Sequence, residues 1–164
     1  MYIIRKATGE DVEIIREIAE KTWRVAYAEI LKAEQLDYML ATIYSVENIT
    51  SQLKNETQTY ILLVESDTPV AFAAYSPREE DPDIYKLHKL YCLPETQGKG
   101  YGKILIDEVA AKTIEAGKYT LDLNVNRHNK AKTFYEKMGF KIVYEEDVPI
   151  GDYWMNDYVM RKEL

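Results

Sequence analysis

The sequence predicts an α/β fold: a mixed sheet of about seven strands with four or five helices on its two faces. Three observations carry that prediction. Runs of period-two and period-3.6 hydrophobicity follow one another as strand, three helices, three strands, helix, strand, helix, two strands. A glycine-rich turn at Gly98, Gly100 and Gly102 joins a strand-like run directly to an amphipathic one. No internal repeat, low-complexity tract or linker interrupts the 164 residues, a length that suits one domain with a sizeable core, so a single domain is expected over 1–164.

Each element has its own signal. Tyr2 to Arg5 is a short apolar run and reads as an edge or first strand. Thr8-Gly-Glu-Asp11 has the form of a capping box, and beyond it Val12, Ile15, Ile18, Ala19, Thr22 and Ala26 recur at helical spacing. Leu36, Met39, Leu40 and Ile43 mark a second helix. Ser45 is placed to cap a third, with Val46, Ile49 and Leu53 on one side. At Thr59 the period changes. Tyr60 to Glu65 reads as a strand, Ser66-Asp-Thr-Pro69 as a turn and Val70 to Tyr75 as the returning strand. After a charged loop, Pro77 to Pro82, Ile84 to Leu93 is the next strand. A helix starts at Lys103, carries Ile104, Leu105, Val109, Ala110 and Ile114 inward, and ends near Gly117. Tyr119, Leu121, Leu123 and Val125 alternate with polar residues. Ala131, Phe134, Tyr135 and Met138 form a short helical stripe ended by Gly139. Phe140 to Tyr144 and Tyr153 to Arg161 are the last two strands, joined by a Pro149–Gly151 turn.

Composition bounds the function. Hydrophobic and charged contents of 46% and 30% are those of a globular protein in water. No apolar run reaches the roughly 18 residues of a membrane span, and Met1 to Lys6 lacks the apolar stretch of a signal peptide. A cytoplasmic protein without a membrane partner is expected. The single cysteine, Cys92, excludes an internal disulfide and a cysteine-based zinc site, and no metal is expected. A net charge of -7 argues against nucleic acid as a main partner and is compatible with cationic substrates. Nothing in the sequence decides whether the chain pairs as a homodimer.

The glycine turn is built to cradle an anion: unpaired N–H groups at a helix N-terminus face outward, and glycine lets the backbone approach. Two common phosphate loops do not fit. A Walker A loop starting at Gly98 needs glycine at Lys103. A dinucleotide fingerprint fails at the same residue, or at Leu105 if it starts from Gly100.

Gln97-x-x-Gly100-x-Gly102 instead resembles the Gln/Arg-x-x-Gly-x-Gly/Ala motif of the GNAT acyltransferases. About 30 residues on, Asn129-x-Ala131-x-x-Phe134-Tyr135-Glu-Lys-Met-Gly139-Phe140 resembles that family's second signature. Tyr85 to Tyr91 and Ile150 to Met160 are similar to polyamine (spermidine/spermine) acetyltransferases of the PaiA type. The resemblance covers essentially the whole chain. It implies a mostly antiparallel sheet splayed at the middle, with acetyl-CoA as cofactor and an amine as acceptor. The pyrophosphate would lie in the loop that opens at Gln97, on the N–H groups of Gly98, Lys99, Gly100, Tyr101, Gly102 and Lys103, at the positive end of the helix dipole. Lys99 and Lys103 either add charge there or are solvated surface lysines. The pantetheine arm would run along Leu90, Tyr91, Cys92 and Leu93 like an added strand. The family's asparagine position is His128 here, so Asn124, Asn126 or Asn129 takes that contact. Lys132 replaces the usual apolar residue and is expected to turn toward the phosphates.

Within that frame Tyr135 fits the general acid that protonates the departing thiolate; on the same stripe it also fits a core residue. A backbone N–H near Tyr91 or Cys92 is the candidate donor to the oxyanion. Cys92 has no visible His-plus-carboxylate arrangement. His88 is four residues away on the same strand and, by alternation, on the same face. Direct transfer in a ternary complex is therefore expected. His88, or a carboxylate acting through water, is the candidate base. Trp23, Tyr27, Tyr75, His88 and Trp154 are the candidate acceptor contacts, with Tyr38, Tyr153, Glu29, Asp152 and Asp157 on the same elements. A protein N-terminus or lysine is the alternative acceptor, and a CoA-binding regulator without turnover the alternative class.

Overall fold

The computed structural model describes residues 1–164. Its sheet has seven strands in the order β1-β2-β3-β4-β5-β7-β6. β1 (Tyr2–Lys6), β2 (Thr59–Glu65), β3 (Thr68–Pro77) and β4 (Ile84–Cys92) pair antiparallel in sequence. β4 and β5 (Thr120–Asn126) are the parallel pair. β7 (Tyr153–Glu163) lies antiparallel between β5 and β6 (Lys141–Ile150). Helices α1 (Val12–Ala26), α2 (Ala33–Ile43) and α3 (Val46–Asn55) cover one face, and α4 (Tyr101–Glu115) and α5 (Ala131–Lys137) the other. No helix is long and apolar enough to cross a membrane.

The predicted element order and the mixed sheet hold, and several boundaries move for identifiable reasons. Thr8 caps a single 3-10 turn, Gly9–Asp11, before α1; Asp11 closes the box by accepting from the Thr8 N–H at 2.8 Å. Ser45 caps α3 by accepting from the Asn48 N–H at 3.0 Å. The β2–β3 turn is narrower than expected. Only Ser66 and Asp67 form it, both at positive φ (48° and 68°), the geometry of a two-residue hairpin turn. β6 runs on to Ile150, well past Tyr144. It is an edge strand carrying Glu145, Glu146 and Asp147, so it has no apolar alternation to read.

The central irregularity lies in β4. Ala74 of β3 faces Lys89, yet the next residue, Tyr75, faces Leu87, which leaves His88 as an extra residue. A bulge of this kind bends the strand and sharpens its twist. Pairing with β5 runs from Ile84↔Thr120 to Leu87↔Leu123 and stops there. The sheet therefore opens at the bulge, leaving the β4 edge from His88 to Cys92 without a strand partner.

Below the opening the two half-sheets are tied by charge. Asp122 is fully buried between Arg78 at 2.9 Å and Arg161 at 2.7 Å. Apolar residues from α1, α2, α4 and the central strands fill one core cluster of 35 buried residues that spans both faces.

Candidate active site

A cleft of about 850 Å³ occupies the opening. Its floor is β4 from Leu87 to Cys92 and β5 from Leu123 to Val125; its rims are the 94–103 loop, α5 and the C-terminal end of α1.

The loop meets the requirements of an anion cradle. Lys99 donates its N–H to Thr96 and Ile104 to Gly100, but the N–H groups of Gly98, Gly100, Tyr101, Gly102 and Lys103 have no acceptor within the chain. They sit at the N-terminus of a 15-residue helix, where the dipole favours an anion. The glycines serve different ends. Gly98 and Gly100 have φ of 87° and 78°, which L side chains rarely adopt. At Gly102 the limit is space: a Cβ would lie 3.2 Å from the Phe134 ring. Gly102 thus lets α5 dock against α4 and brings the two sequence motifs into contact.

The β4 edge meets the requirements of an extended ligand. Leu93 donates its N–H to Val70 of β3 at 2.9 Å. Successive N–H groups of a strand point to opposite sides. Those of Cys92 and Leu90 therefore point to the open side, so of Tyr91 and Cys92 it is Cys92 that presents a donor to the cleft.

Tyr27, Cys92 and Tyr135 share one end of the cleft. Burial raises the Tyr135 and Tyr27 phenols well above their ordinary values and pushes the Cys92 thiol up to about 11. Each keeps its proton at neutral pH. His88 also lines the cleft but is not on the Cys92 face. Its Nε2 lies 2.7 Å from Ser76 Oγ, on the side of β3 that carries Phe72 and Ala74, because the bulge interrupts the alternation. Burial and, after it, Lys86, Lys89 and Arg78 push its imidazole down to about 3. Lys89 is buried without a carboxylate. It donates to Gln58 at 2.6 Å and to Gln52 at 3.4 Å and lies over the rings of Tyr60 and Tyr44. Burial brings its ammonium down to about 7.

The cleft gathers Leu90, Tyr91, Cys92, Gln97, Gly98, Gly100, Tyr101, Gly102, Lys103, Asn124, Asn129 and Tyr135 of the expected cofactor contacts, and Tyr27 and His88 of the expected acceptor contacts. Others lie elsewhere. Leu93 is buried in the core. Lys99 pairs with Glu65 at 2.9 Å, and the Tyr101 hydroxyl also bonds Glu65, so both side chains fasten the loop to the end of β2. Lys132 reaches Glu136 at 3.5 Å and lies over the Tyr158 ring, away from the loop. Trp23 packs beneath the floor against Tyr27, Tyr44 and Tyr91. Tyr75 stacks on Tyr85. Trp154 is 57% exposed at the β6–β7 tip. Asn126 and Asn129 accept from the N–H groups of His128 and Ala131, each at 2.9 Å, and shape the turn into α5. Thr22, Val25, Ile30, Lys130 and Phe134 line the cleft without having been expected there. Lys130 follows the asparagine of the second motif and was legible as a further cation beside the loop.

A splayed sheet with a free strand edge, beside a helix N-terminus bare of acceptors, defines a protein that binds a long, phosphate-bearing carrier. Residues 27–164 match the acetyltransferase (GNAT) domain family. An uncharacterized N-acetyltransferase of Mycobacterium tuberculosis is 30% identical over 155 residues, 94% of this chain and 98% of that protein. A spermidine N(1)-acetyltransferase of Thermoplasma acidophilum is 28% identical over 154 residues, 93% and 94% of the two chains. The crystal structure of the PaiA N-acetyltransferase of that organism, in complex with coenzyme A, superposes with a TM-score of 0.84 at 27% identity, covering 100% and 99% of the two chains. The chain belongs to the GNAT acetyltransferase family: it is an N-acetyltransferase that uses acetyl-CoA.

Proposed function

We propose that the acceptor is a polyamine of the spermidine class and that the acetyl group passes to it directly within a ternary complex. Acetyl-CoA supplies the acetyl group as a thioester. The N–H groups of Gly98 and of Gly100 to Lys103 hold its pyrophosphate, and the open edge of β4 pairs with its pantetheine arm. The Cys92 N–H receives the charge that develops on the carbonyl oxygen. Tyr135 gives its proton to the departing sulfur. The burial that pushes the Cys92 thiol up to about 11 disfavours a thiolate at the same end of the cleft, so a proton donor beside the departing sulfur lowers the cost of its leaving. The same thiol, with no base on its face, supports direct transfer over an acyl-enzyme.

The observation that carries the choice of acceptor is the closure of the acceptor side. The β6–β7 tip is fastened to α2: Tyr38 packs on Tyr153, Gln35 donates to the Trp154 carbonyl, and a Cβ at Gly151 would overlap the Tyr38 hydroxyl. A peptide substrate needs an open groove between these elements, whereas a slender polyamine does not. The net charge of -7 and the similarity to a spermidine acetyltransferase agree with that reading. Thiol release from acetyl-CoA, measured with spermidine, spermine, aminoglycosides and Lys or Ala peptides, tests it. Turnover with spermidine or spermine is expected, and turnover with peptides alone would overturn it.

A further inference from the structure

Two buried acceptor atoms, one on the cleft wall and one beside it, have no donor. Asp157 is 7% exposed, and its Oδ1 takes no hydrogen bond; neither does Oδ1 of Asn124. The two side chains touch. Asn124 Nδ2 donates to Asp157 Oδ2 at 3.2 Å and to Glu146 Oε1 at 2.9 Å. Only an amide nitrogen can face two carboxylates, so that pairing turns the amide oxygen away from them. Asn124 lines the cleft, and Asp157 lies within electrostatic reach of Tyr27 and Tyr91, which line it too. A buried acceptor left bare is costly, and a bare carboxylate oxygen more so. A group with several N–H donors and a positive charge would satisfy both atoms at once.

We infer that Asp157 and Asn124 form the seat of the acceptor amine, their Oδ1 atoms taking two of its N–H groups, and that Asp157 takes the proton the ammonium loses before attack. The inference rests on amine acetylation at this cleft and supplies the base that His88 does not: a neutral imidazole held near 3 takes no proton from an ammonium. The groups around Asp157 suit the task. Burial holds the carboxyl above the usual carboxylate range, outweighing the Asn124 hydrogen bond and the charges of Lys86 of β4 and Arg127, which favour its charged form, while Glu146 of β6 adds to the rise. The step balances. The ammonium gives one proton to Asp157. The freed lone pair forms the C–N bond to the acetyl carbon, and the C–S bond breaks with its electron pair on sulfur. Sulfur takes the Tyr135 proton, the nitrogen's second proton restores Tyr135, and Asp157 releases its own to solvent, leaving an amide, a thiol and one proton.

Asp157→Asn tests the seat. The substitution removes a buried charge and keeps an acceptor oxygen for Asn124 Nδ2, so thermal stability close to or above that of the wild type is expected. kcat/KM for the amine should fall roughly 100-fold or more, and the break that Asp157 puts in the acid limb should disappear, leaving a rate that rises with the free-amine fraction, while acetyl-CoA binding by calorimetry stays unchanged. Asp157→Glu should recover part of the rate. Asn124→Ala should raise KM for the amine more than it lowers kcat. Wild-type kcat/KM in Asp157→Asn, or a loss confined to acetyl-CoA binding, would overturn the inference. If Asp157→Asn does not fold, Asn124→Ala decides, and an unchanged amine KM is the adverse result. The polyamine reading fails separately: if the wild type acetylates a lysine peptide and not spermidine, the same variants judge the seat on the peptide.

Discussion

Tyr135 and Lys89 show how one physical cause, burial, serves two ends at the scale of a residue. For Tyr135, burial keeps the phenol protonated in a cleft where the departing sulfur needs a proton. Tyr135→Phe should keep acetyl-CoA affinity and lower kcat by roughly 100-fold or more; single-turnover acetylation checks it, and an unchanged rate would end the acid assignment. For Lys89, burial costs stability. Folded Lys89 gives up its proton near 7, and its ordinary value is 10.5. Between those values the unfolded chain binds more protons, so this contribution makes stability rise with pH from about 7 to about 10.5, by on the order of 5 kcal/mol in all. Urea midpoints at pH 7 and pH 9 check the sign. The wild type should gain on going to pH 9, and Lys89→Met should gain less and start higher. No sequence signal marks Lys89 as buried. It sits two residues from Tyr91 on a strand whose bulge hides the alternation, and its glutamine partners come from α3 and the start of β2.

At the scale of elements, the two turns that build the cleft were read unequally. The glycine loop was legible because its chemistry is local: positive φ at Gly98 and Gly100 follows from adjacent residues, although the helix starts at Tyr101, two residues before the expected Lys103. The bulge at His88 was not, since it depends on how β4 pairs with β3, and that pairing decides which side chains reach the cleft. Trp23, Tyr75 and Trp154 lie on the expected elements, but packing against other rings or exposure at the hairpin tip takes them away from the opening. Two predictions belong here. Gly100→Ala forces a positive φ on an L residue, at about 1–2 kcal/mol. It should disturb the N–H cradle, raising KM for acetyl-CoA more than it lowers kcat, as initial-rate kinetics would show. Asp122→Ala removes the anion between Arg78 and Arg161 at the hinge of the two half-sheets. A loss of about 3–5 kcal/mol is expected in urea unfolding, and a loss below 1 kcal/mol would show that the half-sheets hold together without it.

At the scale of the molecule, the enzyme must draw two substrates of opposite charge into one opening. The chain carries a net charge of -7. Its long-range field attracts a polyamine cation and repels the polyanionic cofactor, and salt screens both effects over a Debye length of about 10 Å at 0.1 M. On the proposed reading the cofactor is therefore captured by short-range donors, the bare N–H groups of the loop, with Lys130 on the cleft wall beside them and Lys103 paired to Asp107 at 2.7 Å. The amine can be steered from a distance and then held by the buried acceptors. Opposite salt dependences follow. kcat/KM for spermidine should fall several-fold as ionic strength rises, and kcat/KM for acetyl-CoA should hold or rise over the same range. A neutral-tailed primary amine, with one charge to steer, should show a shallower fall than spermidine. Initial rates at saturating partner substrate across a salt series check all three. Equal slopes for spermidine and the monoamine would mean that the field does not select polyamines, and that any preference for them arises inside the cleft.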